Sequence, residues 1–483
     1  MQSFKVPGHF LIDVTQDDDA LDDDKFAKLF NEHACQGFLN FDMDNGCVLE
    51  IIGNFASEIS SKCTIYGTCS GKARVSLYNC TLDPLSQLPH YTRYEEGSAS
   101  IYTSIFHCEI ICDGIWRPKL SHVKLESISL AIQNLETWLG VELKGLNQPD
   151  GYTWQYKQPE NEFANLKNGI EGVIAIKHGV SSNISHTSGL SISTSSHIEI
   201  QFSNPIAIEE AIAWSNRFKS LTTLGLDKAT EIIRLTGKPI DTKKDWVELF
   251  YTPPKHRIAS VEKSSPNPFF RLFSFDDIGG IEGLANLCSS KILDSLIEAT
   301  LSHYIVNLPS EYSVFSLYKS IAKLASIIPK ESKSKCKLCG KKNMRFYTYE
   351  EHICHILEPC KNTLIDLAFE DLKQMGKWVN CVVGLRDNIL AHTDGDKEYS
   401  GQSLSLAKIL SENRKLLLLI LSEYIIHTAT TDLKFEAKRE KKKFSNNYLP
   451  EDIETLIDET NALIDSIKQK KDDQPSIQNR SNT

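Results

Sequence analysis

The sequence predicts an α+β protein of several domains, with a β-rich domain at 1–255 followed by an all-α helical bundle. Three observations carry that expectation. At 483 residues the chain is too long for a single hydrophobic core. Its first half consists of short runs rich in β-branched and aromatic residues. From about residue 275 onward, apolar residues recur at the helical period almost throughout.

In the first half, KARVSLYNC (72–80), SIYTSIFHCEIIC (100–112), GVIAIKHG (172–179) and LSISTSSHIEIQFS (190–203) read as strands bounded by Gly, Asn and Ser. One helix interrupts them at 205–226, with Pro205 at its start. Two further strands follow at 231–237 and 245–251. The proline- and serine-containing run TPPKHRIASVEKSSPNPFF (252–270) marks the domain boundary, and 256–270 is taken as the linker. The helical domain spans 271–430, with helices at 281–306, 309–328, 360–392 and 403–429. A cysteine- and lysine-rich insertion occupies 330–360. Residues 431–483 form a charged tail containing KREKKKF, then an amphipathic stretch, then a polar end read as disordered. No internal repeat is present.

The formal net charge of −10 argues against a surface coated in positive charge for nonspecific nucleic-acid binding. Thirteen cysteines are scattered without a framework of regular spacings. The N-terminus has no signal-type apolar run and turns acidic at once. The greasiest run, LLLLILSEYII (416–426), is broken by Ser422 and Glu423 and is too short to span a bilayer. The expectation is a cytoplasmic protein with no membrane partner, its reduced thiols buried as small hydrophobes.

Chemistry concentrates in two places. The first is GLRDNILAHTDGD (384–396), where Arg386 stands six positions before His392. The bare pattern arises easily, as Arg117 with His122 and Arg345 with His352 illustrate. Only Arg386 and His392 close a long amphipathic helix of the bundle.

A helical bundle carrying RDNILAH resembles the HEPN superfamily of ribonucleases. Asp387 stands in the polar position where that family more commonly has Asn. The wider layout, a β-rich half followed by EYSVFSLYKSIAKLA and VGLRDNILAHTDG, resembles the Apea-like branch, whose members are bacterial anti-phage proteins. The resemblance covers roughly 265–430 and, more loosely, 1–255. It implies an all-α HEPN-type bundle acting as a metal-independent endoribonuclease in abortive infection. Cellular RNA such as transfer RNA would be the substrate. It further implies a homodimer or higher oligomer through the helical domain, and a sensing N-terminal domain that meets a phage-derived trigger.

The residues suit that chemistry. Attack by a ribose 2′-OH requires a proton to leave and the 5′ oxygen to gain one, and a histidine titrating near neutrality serves either task. A permanently charged arginine clamps the non-bridging oxygens as charge builds. The candidate catalytic set is Arg386, His392, Asp387 and Asn388. On an ideal α-helix Arg386 and His392 lie about 120° apart, while Asn388 and His392 share a face. The bland reading pairs Arg386 with a surface acid and lets His392 cap the helix through its dipole. A noncatalytic RNA-binding or scaffold protein is the competing function.

The second place is KCKLCGKKNMRFYTYEEHICHILEPC (335–360). Cys336-x2-Cys339 followed by Gly340 outlines a zinc knuckle, with a following helix supplying two more ligands. The chosen set is Cys336, Cys339, His355 and Cys360, with His352 as the replacement. This zinc is structural, and no catalytic metal is expected. Lys335, Lys337, Lys341, Lys342 and Arg345, with Lys330 and Lys333, face the single acid Glu331 over 330–345, so an RNA-binding surface is expected there. Phe346, Tyr347 and Tyr349 are candidates for stacking on bases. DDDALDDD (17–24) lacks the glycine of a calcium loop, and LTGKPIDTKK (235–244) lacks the upstream glycine of a phosphate loop.

Overall fold

The computed structural model describes residues 3–13, 23–42, 45–53, 62–87, 90–94, 97–116, 119–141, 144–148, 151–155, 159–166, 171–185, 189–240, 246–252, 271–290, 292–300, 310–327, 338, 348–390, 403–433, 449–450 and 452–472. The chain divides into two compact units. One comprises Met1–Glu136, Leu143–Lys219 and Thr230–Ile258. The other comprises Thr137–Glu142, Ser220–Ala229 and Ala259–Thr483.

The first unit opens with β1 (Phe4–Asp13), helix α1 (Asp23–His33), β2 (Cys35–Asp42), β3 (Gly46–Ile52), β4 (Cys63–Cys69) and β5 (Lys72–Leu82). A hairpin of β6 (His90–Tyr94) and β7 (Gly97–Ile101) precedes β8 (Thr103–Cys108) and β9 (Ile110–Asp113). Strands β5, β4, β1, β2, β3 and β8 lie side by side in that order, and β8 pairs back onto β5. The result is a closed, antiparallel six-stranded barrel. Period-two alternation directs Phe10, Leu39, Phe41, Leu49, Ile51, Ile65, Leu77 and Phe106 into its core. Closure leaves these strands without open edges.

The sheet continues beyond the barrel. It uses β10 (Lys124–Ile132), β13 (Glu162–Asn165), β14 (Gly172–Ser185), β15 (Gly189–Ala207), β16 (Ile232–Pro239) and β17 (Val247–Tyr251), with short helix α2 (Leu135–Leu139) and a β11–β12 hairpin (Lys144–Gln148, Gly151–Gln155) in between. From β9 the order is β17, β16, β10, β15, β14, β13. Helix α3 (Ile208–Leu226) follows β15 directly. It therefore starts three residues after the expected Pro205. The β10–β15 register slips between Leu125 and Ser127, and Pro205, which has no N–H to donate, falls in the unpaired stretch. Tyr251 of β17 fastens the helix by donating to Asn216 Oδ1 at 3.1 Å, with Ser215 Oγ also 3.1 Å away.

The helical unit contains α4 (Gly280–Ser289), α5 (Leu293–Thr300), α6 (Ser310–Ile327), α7 (Tyr349–Leu367), α8 (Leu372–Leu385), a π-helical turn (Arg386–Leu390), α9 (Ser403–Thr430) and α10 (Ile453–Asp472). Every residue from Leu416 to Ile426 is buried, so α9 is the central helix, and α4, α6, α7 and α10 pack around it. Ser422 is accommodated there because its hydroxyl donates to the Leu419 carbonyl at 2.7 Å. A buried polar chain ties three helices together. Trp378 Nε1 donates to Asn413 Oδ1 at 3.0 Å, and Asn413 Nδ2 reaches the Ile409 carbonyl at 2.9 Å and Thr460 Oγ1 at 3.4 Å.

Three helical boundaries differ from the sequence reading. The single helix expected at 281–306 is two, α4 and α5, separated by a turn in which the Ser290 hydroxyl donates to the Leu287 carbonyl. The helix expected at 360–392 begins earlier and is broken by the Asp371 N-cap, whose Oδ1 accepts from Gln374 N at 2.8 Å. Helix α10 lies within the stretch read as a charged tail, and Ile453, Leu456, Ile457, Leu463 and Ile464 are buried. The linker stretch from 256 to 270 lies outside the described residues, as does KREKKKF. Among the described residues no helix is long and apolar enough to cross a membrane. The eleven described cysteines are free thiols, and all but Cys35 and Cys63 are buried.

Candidate functional site

Helix α8 is set by its apolar stripe. Met375, Trp378, Val379, Val382 and Leu385 are all buried, and the spacing is that of one helical face. Arg386 follows at the edge of the stripe, where the ladder changes from α to π. Its N–H is shared between the Val382 and Val383 carbonyls. Such widened turns are uncommon and concentrate at functional sites. The Asn388 side chain donates from Nδ2 to the Gly384 carbonyl at 2.8 Å, which ties the turn to the last coil of α8. The i, i+4 relation inferred for Asn388 and His392 assumed an α-helix. The described turn from Arg386 to Leu390 is π-helical, and the Asn388 amide donates to backbone.

Two tyrosines from other helices hold this turn. The Arg386 guanidinium stands 5.1 Å from the Tyr349 ring centroid. Tyr318 of α6 meets the Tyr349 ring edge-on, with centroids 4.8 Å apart and planes at 89°, and donates its hydroxyl to the Val382 carbonyl at 3.1 Å. Tyr349 is only 7% exposed, and its hydroxyl has no hydrogen-bond partner among the described residues. Burial pushes both phenols upward, so both stay protonated. Tyr349 is therefore a floor beneath Arg386, not a platform for bases as the sequence suggested. The signal for its position was readable. Thr348 and Glu351 form a reciprocal capping box that starts α7 at Tyr349.

The outer face of Arg386 is open. Its side chain is 38% exposed and makes a 2.8 Å contact to Asp387 Oδ1, a carboxylate that is 53% exposed. Exposed pairs of this kind contribute about 0–1 kcal/mol, so separating the guanidinium from Asp387 costs little. Gly384 also admits a close neighbour, because a Cβ there would come within 2.9 Å of Ile464 Cδ1 on α10. His392 lies outside the described residues.

The second cluster is only partly described. Cys336, Cys339, Lys335, Lys337, Lys341, Lys342 and Arg345 lie outside the described residues, as do Phe346 and Tyr347. Leu338, between the two cysteines, has its carbonyl oxygen 3.3 Å from where a Cβ of Gly376 would stand, so the glycine permits a close approach to α8. His355 is half-buried on α7, and burial, then the neighbouring His352, holds it below the usual histidine range. Cys360 is buried beside Glu423 and Tyr424 of α9, and burial pushes its thiol upward. On a helix the five-residue step turns Cys360 about 140° from His355, whereas His352 and His355 share a face. Among the described residues no three His, Cys, Asp or Glu side chains form a group that could hold a metal ion.

Comparison with protein-family models matches residues 25–282, more than half of the chain, to ApeA N-terminal domain 1. The chain belongs to the ApeA family. Membership of the ApeA family points to anti-phage defence as the setting of this protein. The match covers the barrel from α1 onward and the continuing sheet, and it ends at the start of α4. Searches of curated proteins and of solved structures found no match for this ApeA-family chain.

Proposed function

We propose that this protein is a metal-independent endoribonuclease of the HEPN type that acts in anti-phage defence by cleaving cellular RNA such as transfer RNA. The observation that carries the reading is Arg386. It is a half-exposed guanidinium on a π turn, floored by a buried aromatic ring, six residues ahead of His392. An arginine that served only to stabilise its own helix would not require a tyrosine pair from two other helices beneath it.

In this reading Arg386 leaves Asp387 and grips the non-bridging oxygens of the scissile phosphate. His392 takes the 2′-OH proton or delivers one to the departing 5′ oxygen, and the product carries a 2′,3′-cyclic phosphate. Asn388 and Asp387 act on the turn: Asn388 fixes its width, and Asp387 holds the guanidinium in place until RNA arrives. Two copies of the turn face one another in a homodimer or larger assembly, so that each phosphate meets groups from both chains. The β-rich unit restrains the nuclease until a phage-derived trigger binds.

The lysine-rich insertion, with Lys335, Lys337, Lys341, Lys342 and Arg345, guides RNA to the site. A structural zinc is held by Cys336, Cys339, His352 and His355. Support for replacing Cys360 with His352 comes from the face that the two histidines share on α7 and from the burial of Cys360 against α9. Such a zinc supplies a closed four-coordinate anchor for the insertion and no reactive water.

The test is end-labelled transfer RNA incubated with purified full-length protein in EDTA, followed by analysis of the product ends. Cleavage with 2′,3′-cyclic phosphate ends is expected. RNA that is bound but never cut, with and without added metal, would instead support a noncatalytic RNA-binding protein.

A further inference from the structure

The barrel holds a row of four cysteines, one on each of four neighbouring strands. Cys63 of β4 is paired in register with Cys80 of β5. Cys47 of β3 is paired with Cys108 of β8. The closing ladder pairs Thr81 with His107 and Leu82 with Phe106, and one antiparallel step along it sets Cys80 opposite Cys108. Across β4, β5, β8 and β3 the row therefore runs Cys63, Cys80, Cys108, Cys47.

All four face the barrel core. Cys47, Cys80 and Cys108 are 1%, 0% and 2% exposed, and Cys63 packs against the same core while remaining only partly buried. The Cys108 thiol neighbours those of Cys47 and Cys80, and the Cys63 thiol donates to the Cys80 carbonyl at 3.5 Å. Burial raises Cys80 to about 11 and pushes Cys47 and Cys108 up as well, so the inner thiols stay protonated and are poor first nucleophiles toward an oxidant. Cys63 is the entry.

Spacing decides what kind of site this is. Directly opposed residues on antiparallel strands have Cα atoms about 4.5–5.5 Å apart, inside the roughly 4.4–6.8 Å that a disulfide spans. A row at the interstrand interval supplies neighbouring pairs rather than a tetrahedron. In keeping with that, no group of three or more His, Cys, Asp or Glu among the described residues could hold a metal ion. The backbone also has slack here. The β4–β5 register is irregular beside Cys63, and Asn79, next to Cys80, has a φ of 55°.

We propose that this row is a site of oxidative modification at which a hydroperoxide converts Cys63 and Cys80 to a disulfide. The Cys63 sulfur attacks the peroxide, the O–O bond breaks, and with hydrogen peroxide the departing oxygen leaves as water. Cys63 is then a sulfenic acid. The Cys80 sulfur attacks it, the S–S bond forms, the S–O bond breaks, and hydroxide leaves with the Cys80 proton as a second water. Two thiols lose two electrons and one peroxide becomes two waters. Exchange moves the bond inward: Cys108 attacks Cys80, a Cys80–Cys108 disulfide forms, and Cys63 leaves as a thiol with the Cys108 proton. The consequence is a covalent staple across the seam of the family's defining domain.

The experiment treats the reduced full-length protein with hydrogen peroxide, alkylates the remaining thiols and maps linked peptides by mass spectrometry. A two-hydrogen mass loss is expected in a peptide pair joining Cys63 to Cys80 or Cys80 to Cys108. Cys63→Ser should slow its formation at least about tenfold, while Cys35→Ser, at the other partly buried cysteine among the described residues, should leave the rate unchanged. Cys63→Ala serves if the serine variant fails to fold. No disulfide within the row, or the same rate without Cys63, would overturn the proposal. So would thiols that become alkylatable only after a chelator is added, because they would belong to a metal site.

Discussion

The Arg386 guanidinium stacks 5.1 Å from the ring centroid of Tyr349, a residue at the opposite end of the α7–α8 hairpin in sequence. A cation over a partly desolvated aromatic face gains about 0.5–2 kcal/mol. The arginine side chain remains 38% exposed, beside the Asp387 carboxylate. Because the buried Tyr349 hydroxyl has no partner among the described residues, the ring alone performs this task.

Tyr349→Phe should therefore keep cleavage within about twofold of the parent, since only an unpaired hydroxyl is lost. Tyr349→Leu removes the cation–ring contact and should reduce kcat/KM by about 2- to 30-fold. Single-turnover rates, with thermal midpoints as a check on folding, measure both. Equal rates in the parent and the leucine variant would show that the ring does not position Arg386.

Acid should loosen the extended sheet. His178 is buried on β14 with Nδ1 3.0 Å from Ser196 Oγ, and His197 neighbours it on β15. Burial first, then the charge of His197, lowers His178; burial first lowers His197. Both are thus harder to protonate folded than unfolded. Their contribution is complete above the ordinary histidine value of about 6.5 and is lost as pH falls through it toward the lower native values. The thermal midpoint of His178→Gln should depend less on pH between about 7.5 and 5 than the parent's. Identical pH dependence would remove His178 from this account.

The barrel and the helical bundle were legible to different degrees. Strands such as 72–82 and 172–185 announce themselves by β-branched content, whereas β1 carries a proline and a glycine inside FKVPGHFLID and was not singled out. Barrel closure was invisible, because it depends on pairing β5 with β8, a nonlocal event no periodicity records. At the site, Arg386 was found from its spacing to His392. Tyr318 and Tyr349 were not recognised as its support, because they reach it through tertiary packing. Helix α10 was seen as amphipathic, but its acidic and lysine-rich outer face resembles a solvated tail.

Elemental analysis should find about one zinc per chain. Removal by chelator should weaken RNA binding by freeing the lysine-rich insertion while leaving cleavage at saturating RNA intact. Cys336→Ser and His352→Ala should lower the zinc content, and Cys360→Ala should leave it unchanged. Loss of zinc in Cys360→Ala alone would restore Cys360 to the ligand set.

In the proposed assembly two copies of the turn, each carrying Arg386 beside Asp387, face one another. Sedimentation should show at least a dimer at concentrations that support cleavage. A monomer with full activity would require both groups to act from one chain.

The most direct measurement is the rate of RNA cleavage in EDTA by the parent, Arg386→Ala, His392→Ala and Asp387→Ala proteins, each verified as folded. The account predicts losses of about 100-fold or more for the arginine and histidine variants, in line with removal of an oxyanion clamp or a general acid–base group. Asp387→Ala should lose much less, because that carboxylate only holds the guanidinium before RNA binds. Parent-like cleavage by the folded His392→Ala protein would contradict the assignment of chemistry to this turn.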